Sequence, residues 1–144
     1  EPAEADTALV NKVLDACRTE LPREFESLAF SVGIEDWIRA VFACNQYVDA
    51  QAPWALRKTD PERMRAVLMT LFQAVRTLAI AIRPVVPTAA DALLDQMGIA
   101  DDARDFAALA DEQWFAGLVA SGFTVGQPSP IFPRLEMPEG EGEA

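Results

Sequence analysis

The chain has 144 residues, 51% of them hydrophobic and 24% charged, and its 12 Lys and Arg stand against 23 Asp and Glu for a net charge of −11. That length predicts one soluble globular domain with no membrane-spanning run. With no His and only two Cys, His-ligated metals, His general bases, Ser-His-Asp triads and Cys-only zinc sites are excluded, so no catalytic and no metal-binding residue is nominated.

Abundant Ala, and apolar residues recurring at steps of three and four, predict an all-α fold. A first helix is expected after Asp6 or Thr7 as N-cap, with Leu9, Val10, Val13, Leu14 and Cys17 on one stripe. Leu21-Pro22 should interrupt it, and Pro22 should open a short helix that turns Phe25, Leu28 and Ala29 inward. Gly33 then marks a break or a tight crossing. From about Ile34 to Gln51 the residues Ile34, Trp37, Ile38, Val41, Phe42 and Val48 trace an amphipathic helix, with Asn45 on the same stripe.

Pro53 ends that helix and predicts a corner at Ala52-Pro53-Trp54-Ala55-Leu56. Asp60-Pro61 supplies an N-cap followed by Pro at the first helical position, and the run from Met64 to Ile82 predicts the longest helix, ending near Arg83. Beyond Pro84 and Pro87, Thr88 is expected to cap a shorter helix that stops at Gly98. Asp101 and Asp102 should cap a further short helix carrying Phe106, Leu109 and Trp114. Residues 123–144 hold four Pro and three Gly, which predicts an extended tail docked by Phe132 and disordered over its last residues. The expected organisation is thus a bundle over 1–122 and a tail over 123–144.

Cys17 and Cys44 lie in apolar stripes, so buried free thiols and a reducing, cytoplasmic setting are expected. The Glu-Pro-Ala-Glu start shows no targeting peptide. Cations concentrate in one segment, where Arg57, Lys58, Arg63, Arg65, Arg76 and Arg83 face only Asp60 and Glu62. Contact with a polyanion should therefore be local and phosphate-directed.

The densest constellation runs from Asn45 to Lys58: a helix end, a corner, an indole and two cations. An exposed Trp54 ring would offer a flat face for an unstacked base, and Arg57 and Lys58 could hold its phosphates. A Trp54 buried as a plug would instead indicate a purely structural helical interaction domain. A third reading, an independent helical enzyme, would need a carboxylate pair in a cleft, and Glu35-Asp36 and Asp101-Asp102 read instead as solvated helix ends.

This stretch, Asn-x-Tyr-Val-Asp-x-Gln-Ala-Pro-Trp followed by Leu-x-Lys, resembles the helical anticodon-binding domain of class I aminoacyl-tRNA synthetases, most closely the methionyl-tRNA synthetase family. The leucyl, isoleucyl and valyl families share a looser version and form the alternative within the class. Arg83-Pro84-Val85-Val86-Pro87 and the Gly126, Pro128, Pro130, Ile131-Phe132-Pro133-Arg134 tail are similar to that family's downstream elements. The resemblance covers roughly residues 20–135. It implies that Trp54 contacts the cytosine of a CAU anticodon, that Asn45 and Tyr47 match anticodon-binding positions of the family, and that the partners are a methionine-accepting tRNA and a catalytic domain. The places of Asn45 and Tyr47 on or beside the apolar stripe predict that they mainly brace the corner by hydrogen bonding. Gln46 stands where the family frequently has Arg. The His-Ile-Gly-His and Lys-Met-Ser-Lys-Ser signatures are absent, so the ATP and Mg implied by the resemblance belong to a catalytic domain outside this chain. The chain reads as a C-terminal portion of the ligase, with the bundle incomplete at its N-terminal end.

Overall fold

The computed structural model describes residues 3–111 and 113–134, and among them the regular structure is helical throughout. Helix α1 spans Glu4–Asp15, and it begins before Asp6 rather than after it. Asp6 lies in the first turn, where its carboxylate accepts from the Ala3 N–H at 3.3 Å and complements the positive end of the helix. Leu9, Val13 and Cys17 bury fully, as the stripe predicts, while Val10 and Leu14 are half-buried.

Pro22 does not break the chain direction. A π-helical turn over Ala16–Glu20 leads directly into α2, Leu21–Glu26, with the Leu21 N–H bonded to the Ala16 carbonyl. Widening the turn before a Pro relieves the clash of its ring with the carbonyl four residues earlier, so the helix continues. Helix α2 ends in a Schellman arrangement: Leu28 N–H donates to Phe25 O at 3.0 Å and Ala29 N–H to Glu24 O at 2.8 Å. Leu28 occupies the left-handed position at φ 62, which turns its side chain outward, so it is exposed and not inward as expected.

Helix α3, Phe30–Gln51, starts earlier than the periodicity suggests and runs through Gly33 without a break. Gly33 marks the tight crossing instead: a Cβ there would stand 2.9 Å from Phe25 Cδ1. The inward face of α3 is Gly33, Asp36, Ala40, Ala43, Cys44 and Tyr47, not the large apolar stripe. Ile38 and Phe42 are exposed, the latter by 61%. Small residues win the inner face because they let the helix axes approach closely. Trp37 sits at the border and donates its indole N–H to the Leu78 carbonyl at 3.0 Å.

Helix α4 is Pro53–Thr59 and α5 is Pro61–Ile82, the latter capped as predicted by Asp60, whose carboxylate accepts from the Arg63 N–H at 2.9 Å. By length and composition α5 could cross a membrane, contrary to the expectation of no such run. It serves instead as the central helix, packed against α1, α3, α4 and α6, with Leu78 to Ile82 buried on every side. Helix α6, Pro87–Gln96, is opened by Pro87 at its first position with Val86 as N-cap, so Thr88 lies inside the first turn. Gly98, at φ 71, ends it as expected.

Two 3-10 turns, Asp101–Ala103 and Phe106–Ala110, and helix α7, Trp114–Ser121, replace the single helix expected after Gly98. Asp105 and Asp111, not Asp101 and Asp102, make the capping bonds, to the N–H groups of Ala108 and of Gln113 and Trp114. The tail to Arg134 is extended and held by Gln96, whose carbonyl accepts from Gly126 N–H at 2.7 Å and whose side chain bonds both backbone groups of Ser129. Phe132 is 77% exposed, so it does not bury as the docking residue was expected to; the half-buried Ile131 lines an apolar groove together with Trp37, Val41, Leu93 and Phe132. The expected disorder of the last residues falls outside the described residues.

Candidate functional site

The corner forms because Ala52 takes the left-handed conformation, φ 43 and ψ 61, between Gln51 and Pro53. Holding a non-Gly residue there costs about 1–3 kcal/mol, so its surroundings must impose it. Pro53 supplies a preset first turn for α4 and positions Trp54 immediately after it. Trp54 is 64% exposed, so it is not a plug buried in the core. No residue of α4 is fully buried, and Leu56 alone leans on the core from this helix. Arg57 and Lys58 occupy the last turn, exposed, where cations favour the helix C-terminal dipole. Neither makes an ion pair among the described residues.

The other cations of the basic segment are differently employed. Arg63 binds Asp6 and Arg83 binds Asp91, at 2.6 and 2.8 Å. Arg76 is 3% exposed, its Cζ 3.6 Å above the Trp114 ring, and burial pushes its pKa down to about 10. Arg57, Lys58 and Arg65 are the exposed members. The phosphate-directed charge is thus narrower than the sequence suggests.

Asn45 and Tyr47, two residues apart on a helix, point to different sides. Tyr47 is buried and donates its hydroxyl to Asp6 Oδ1 at 2.6 Å. Asn45 is exposed, and its side chain makes no hydrogen bond among the described residues, so it does not brace the corner. The brace beside Tyr47 is a set not nominated from sequence: Asp6 on α1, Gln51 at the end of α3 and Arg63 at the start of α5. Arg63 Nη1 and Nη2 each reach the Asp6 carboxylate at 2.6 Å, and Nη2 also donates to Gln51 Oε1 at 2.6 Å. The Arg63 hydrogen bonds, helped by Tyr47 and opposed by burial, hold the Asp6 carboxyl below its ordinary value, and burial with the Asp6 bond pushes the Tyr47 hydroxyl up to about 12. A carboxylate three residues ahead of the stripe residue Leu9 was the available sequence signal.

Cys17 and Cys44 are free and buried, and burial plus the neighbouring Cys44 pushes the Cys17 thiol up to about 12. Such thiols are unreactive at neutral pH. Asp36 is buried and paired with Arg39, so it is not the solvated helix end expected of it. Among the described residues no group of three or more His, Cys, Asp or Glu converges as a metal site.

The family described as the anticodon binding domain of methionyl tRNA ligase matches residues 1–141. Methionine–tRNA ligase of Rhizobium meliloti (strain 1021) is 42% identical over 102 residues, covering 71% of this chain and 19% of the relative. The enzyme of Mycobacterium leprae is 33% identical, covering 99% of this chain and 26% of the relative. The apo crystal structure of Mycobacterium tuberculosis methionyl-tRNA synthetase superposes with a TM-score of 0.80 at 30% identity, covering 96% of this chain and 27% of that one. The form of that enzyme in complex with methionyl-adenylate gives the same TM-score, 0.80, over 93% of this chain. The chain spans about a fifth to a quarter of the length of the curated relatives it matches.

Proposed function

This chain belongs to the methionyl-tRNA ligase anticodon-binding domain family, and on that premise we propose that its Trp54 corner reads the CAU anticodon of a methionine-accepting tRNA. The observation that carries the reading is the exposed Trp54 at a helix corner, with two cations one turn on that make no ion pair among the described residues. An unstacked cytosine lying on the indole would bury both π-faces, and neighbouring groups would bond its edges, which is how single-stranded loops are read. Asn45, exposed on the last turns of α3, is available for an edge contact. Tyr47 acts from beneath, as a brace.

Joining methionine to tRNA with ATP belongs, on this reading, to the cytoplasmic ligase's catalytic domain. The exposed apolar side chains Phe30, Ile38 and Phe42 on α3 suit contact with that domain. The net charge of −11 then matters less, because much of the phosphate contact is made by the rest of the enzyme.

The test is Trp54→Ala in the full-length ligase. Binding of a CAU anticodon stem-loop should weaken by about 1–3 kcal/mol, the worth of one base–aromatic stack. Thermal stability should hardly move, because the ring is exposed. Equal binding by wild type and variant would refute the assignment.

Arg57→Glu combined with Lys58→Glu should weaken matched and mismatched tRNAs alike and reduce the salt slope of log K by about 1–2, since phosphate contacts position without reading bases. Binding across a salt series checks it. Loss confined to the CAU tRNA would mean that these cations touch bases.

A further inference from the structure

We infer that Asp6 is a positioning residue for Trp54: its buried carboxylate ties together the two helix ends from which the recognition corner hangs. Helix α4 packs along α5 and turns only Leu56 toward the core, with no fully buried residue of its own, so its direction follows the elements it is joined to. Its placement is therefore inherited from its two attachments, the last turn of α3 and the first turn of α5. Both attachments carry a side chain that ends on Asp6. From α3, the Tyr47 hydroxyl donates at 2.6 Å; from α5, Arg63 donates through both terminal nitrogens at 2.6 Å. The same guanidinium reaches Gln51, the residue immediately before left-handed Ala52.

One carboxylate on α1 thus closes a triangle across three helices. A charged, bidentate contact fixes angle as well as distance, which a hydrophobic contact does not. The Asp6 side chain is 3% exposed and that of Arg63 22% exposed, so water competes little for these bonds. Asp6 itself is remote in sequence from the corner and needs no contact with RNA. Its influence on recognition, which rests on the anticodon-reading function proposed above, passes through the geometry of the two junctions of α4, Ala52-Pro53 and Asp60-Pro61.

Fluorine NMR of the full-length enzyme labelled with 5-fluorotryptophan tests the positioning without RNA. In this chain Trp37, Trp54 and Trp114 are the reporters, assigned by single Trp→Phe variants. Asp6→Asn keeps the volume and removes the charge; it should shift or broaden the Trp54 resonance while Trp37 and Trp114 stay in place. Tyr47→Phe, which removes one edge of the triangle, should move the same resonance less. With RNA, Asp6→Asn should raise the KM for tRNA roughly tenfold, within the range of one lost stack, and leave methionine-dependent ATP–pyrophosphate exchange at its wild-type rate. An unmoved Trp54 resonance in both variants overturns the inference. So does a shift of all three resonances, which would make Asp6 a general fold residue. A selective Trp54 shift in an enzyme whose wild type shows no CAU preference would support the positioning and overturn the anticodon reading.

Discussion

Asp6→Ala is expected to lose about 3–5 kcal/mol of unfolding free energy at neutral pH, because removing one partner of a buried pair leaves the other charge uncompensated. Arg63 would retain Gln51 and partial solvent access, which places the loss towards the lower end of that range. The Tyr47 hydroxyl would also be left without its acceptor at 2.6 Å, adding the desolvation penalty of a buried donor. Acid should reveal the same carboxylate. Arg63 first, and then Tyr47, lower its folded pKa below the ordinary 3.8. Its contribution is therefore complete above about pH 4 and is lost as pH falls through the folded value. Urea melts of wild type and Asp6→Asn at pH 7 and pH 3 measure this. The gap between them should narrow at pH 3, and a gap that is constant or widens with acid would mean that the charge of Asp6 is not what stabilises the fold.

The second large effect is expected at Trp114. The ring lies parallel to Phe72 at a centroid distance of 6.4 Å and covers the Arg76 guanidinium. Arg76 makes only long bonds, 3.4 and 3.3 Å, to the carbonyls of Ala103 and Ala108, and its Nε has no partner among the described residues. Burial disfavours its charged form, so the residue detracts from stability at every pH below about 10, and the indole face offsets part of that cost. Trp114→Ala should therefore cost about 3 kcal/mol, a packing loss increased by the uncovered cation. In an Arg76→Met background the same substitution should cost about 1 kcal/mol less, the magnitude of a buried cation–π contact. A double-mutant cycle by thermal or urea unfolding reads the difference directly. Strict additivity would show that the ring acts on Arg76 only as inert volume.

Much of this protein is legible from local chemistry. The all-α class, the Asp60-Pro61 start of α5, the stop at Gly98 and the corner at Pro53 follow from periodicity, from the missing N–H of Pro and from the freedom of Gly, all of which act within a few residues. The same holds for the run from Asn45 to Lys58 that carries the family resemblance. Other local rules were outweighed by context. Pro22 is accommodated by a π turn, and Leu28 takes a left-handed position usually given to Gly because a Schellman bond pair satisfies the end of α2. Asp6, an acceptable N-cap by type, is drawn into the first turn and buried.

What the sequence by itself determined is where α5 starts, where α3 and α6 stop and which residue types meet at the corner, since those follow from the backbone geometry of Pro and Gly over three or four positions. Only the tertiary structure decided which face of α3 turns inward, because Ala, Cys and Gly on one side and Ile, Phe and Val on the other are both apolar. Close approach of helices selects the smaller set, and hydropathy favours the larger. It also decided which cations remain available: Arg63 and Arg76 are matched with partners 57 and 38 residues away, a pairing that no local pattern encodes. The exposure of Trp54 was decided in the same way, by a short helix that turns only Leu56 toward the core.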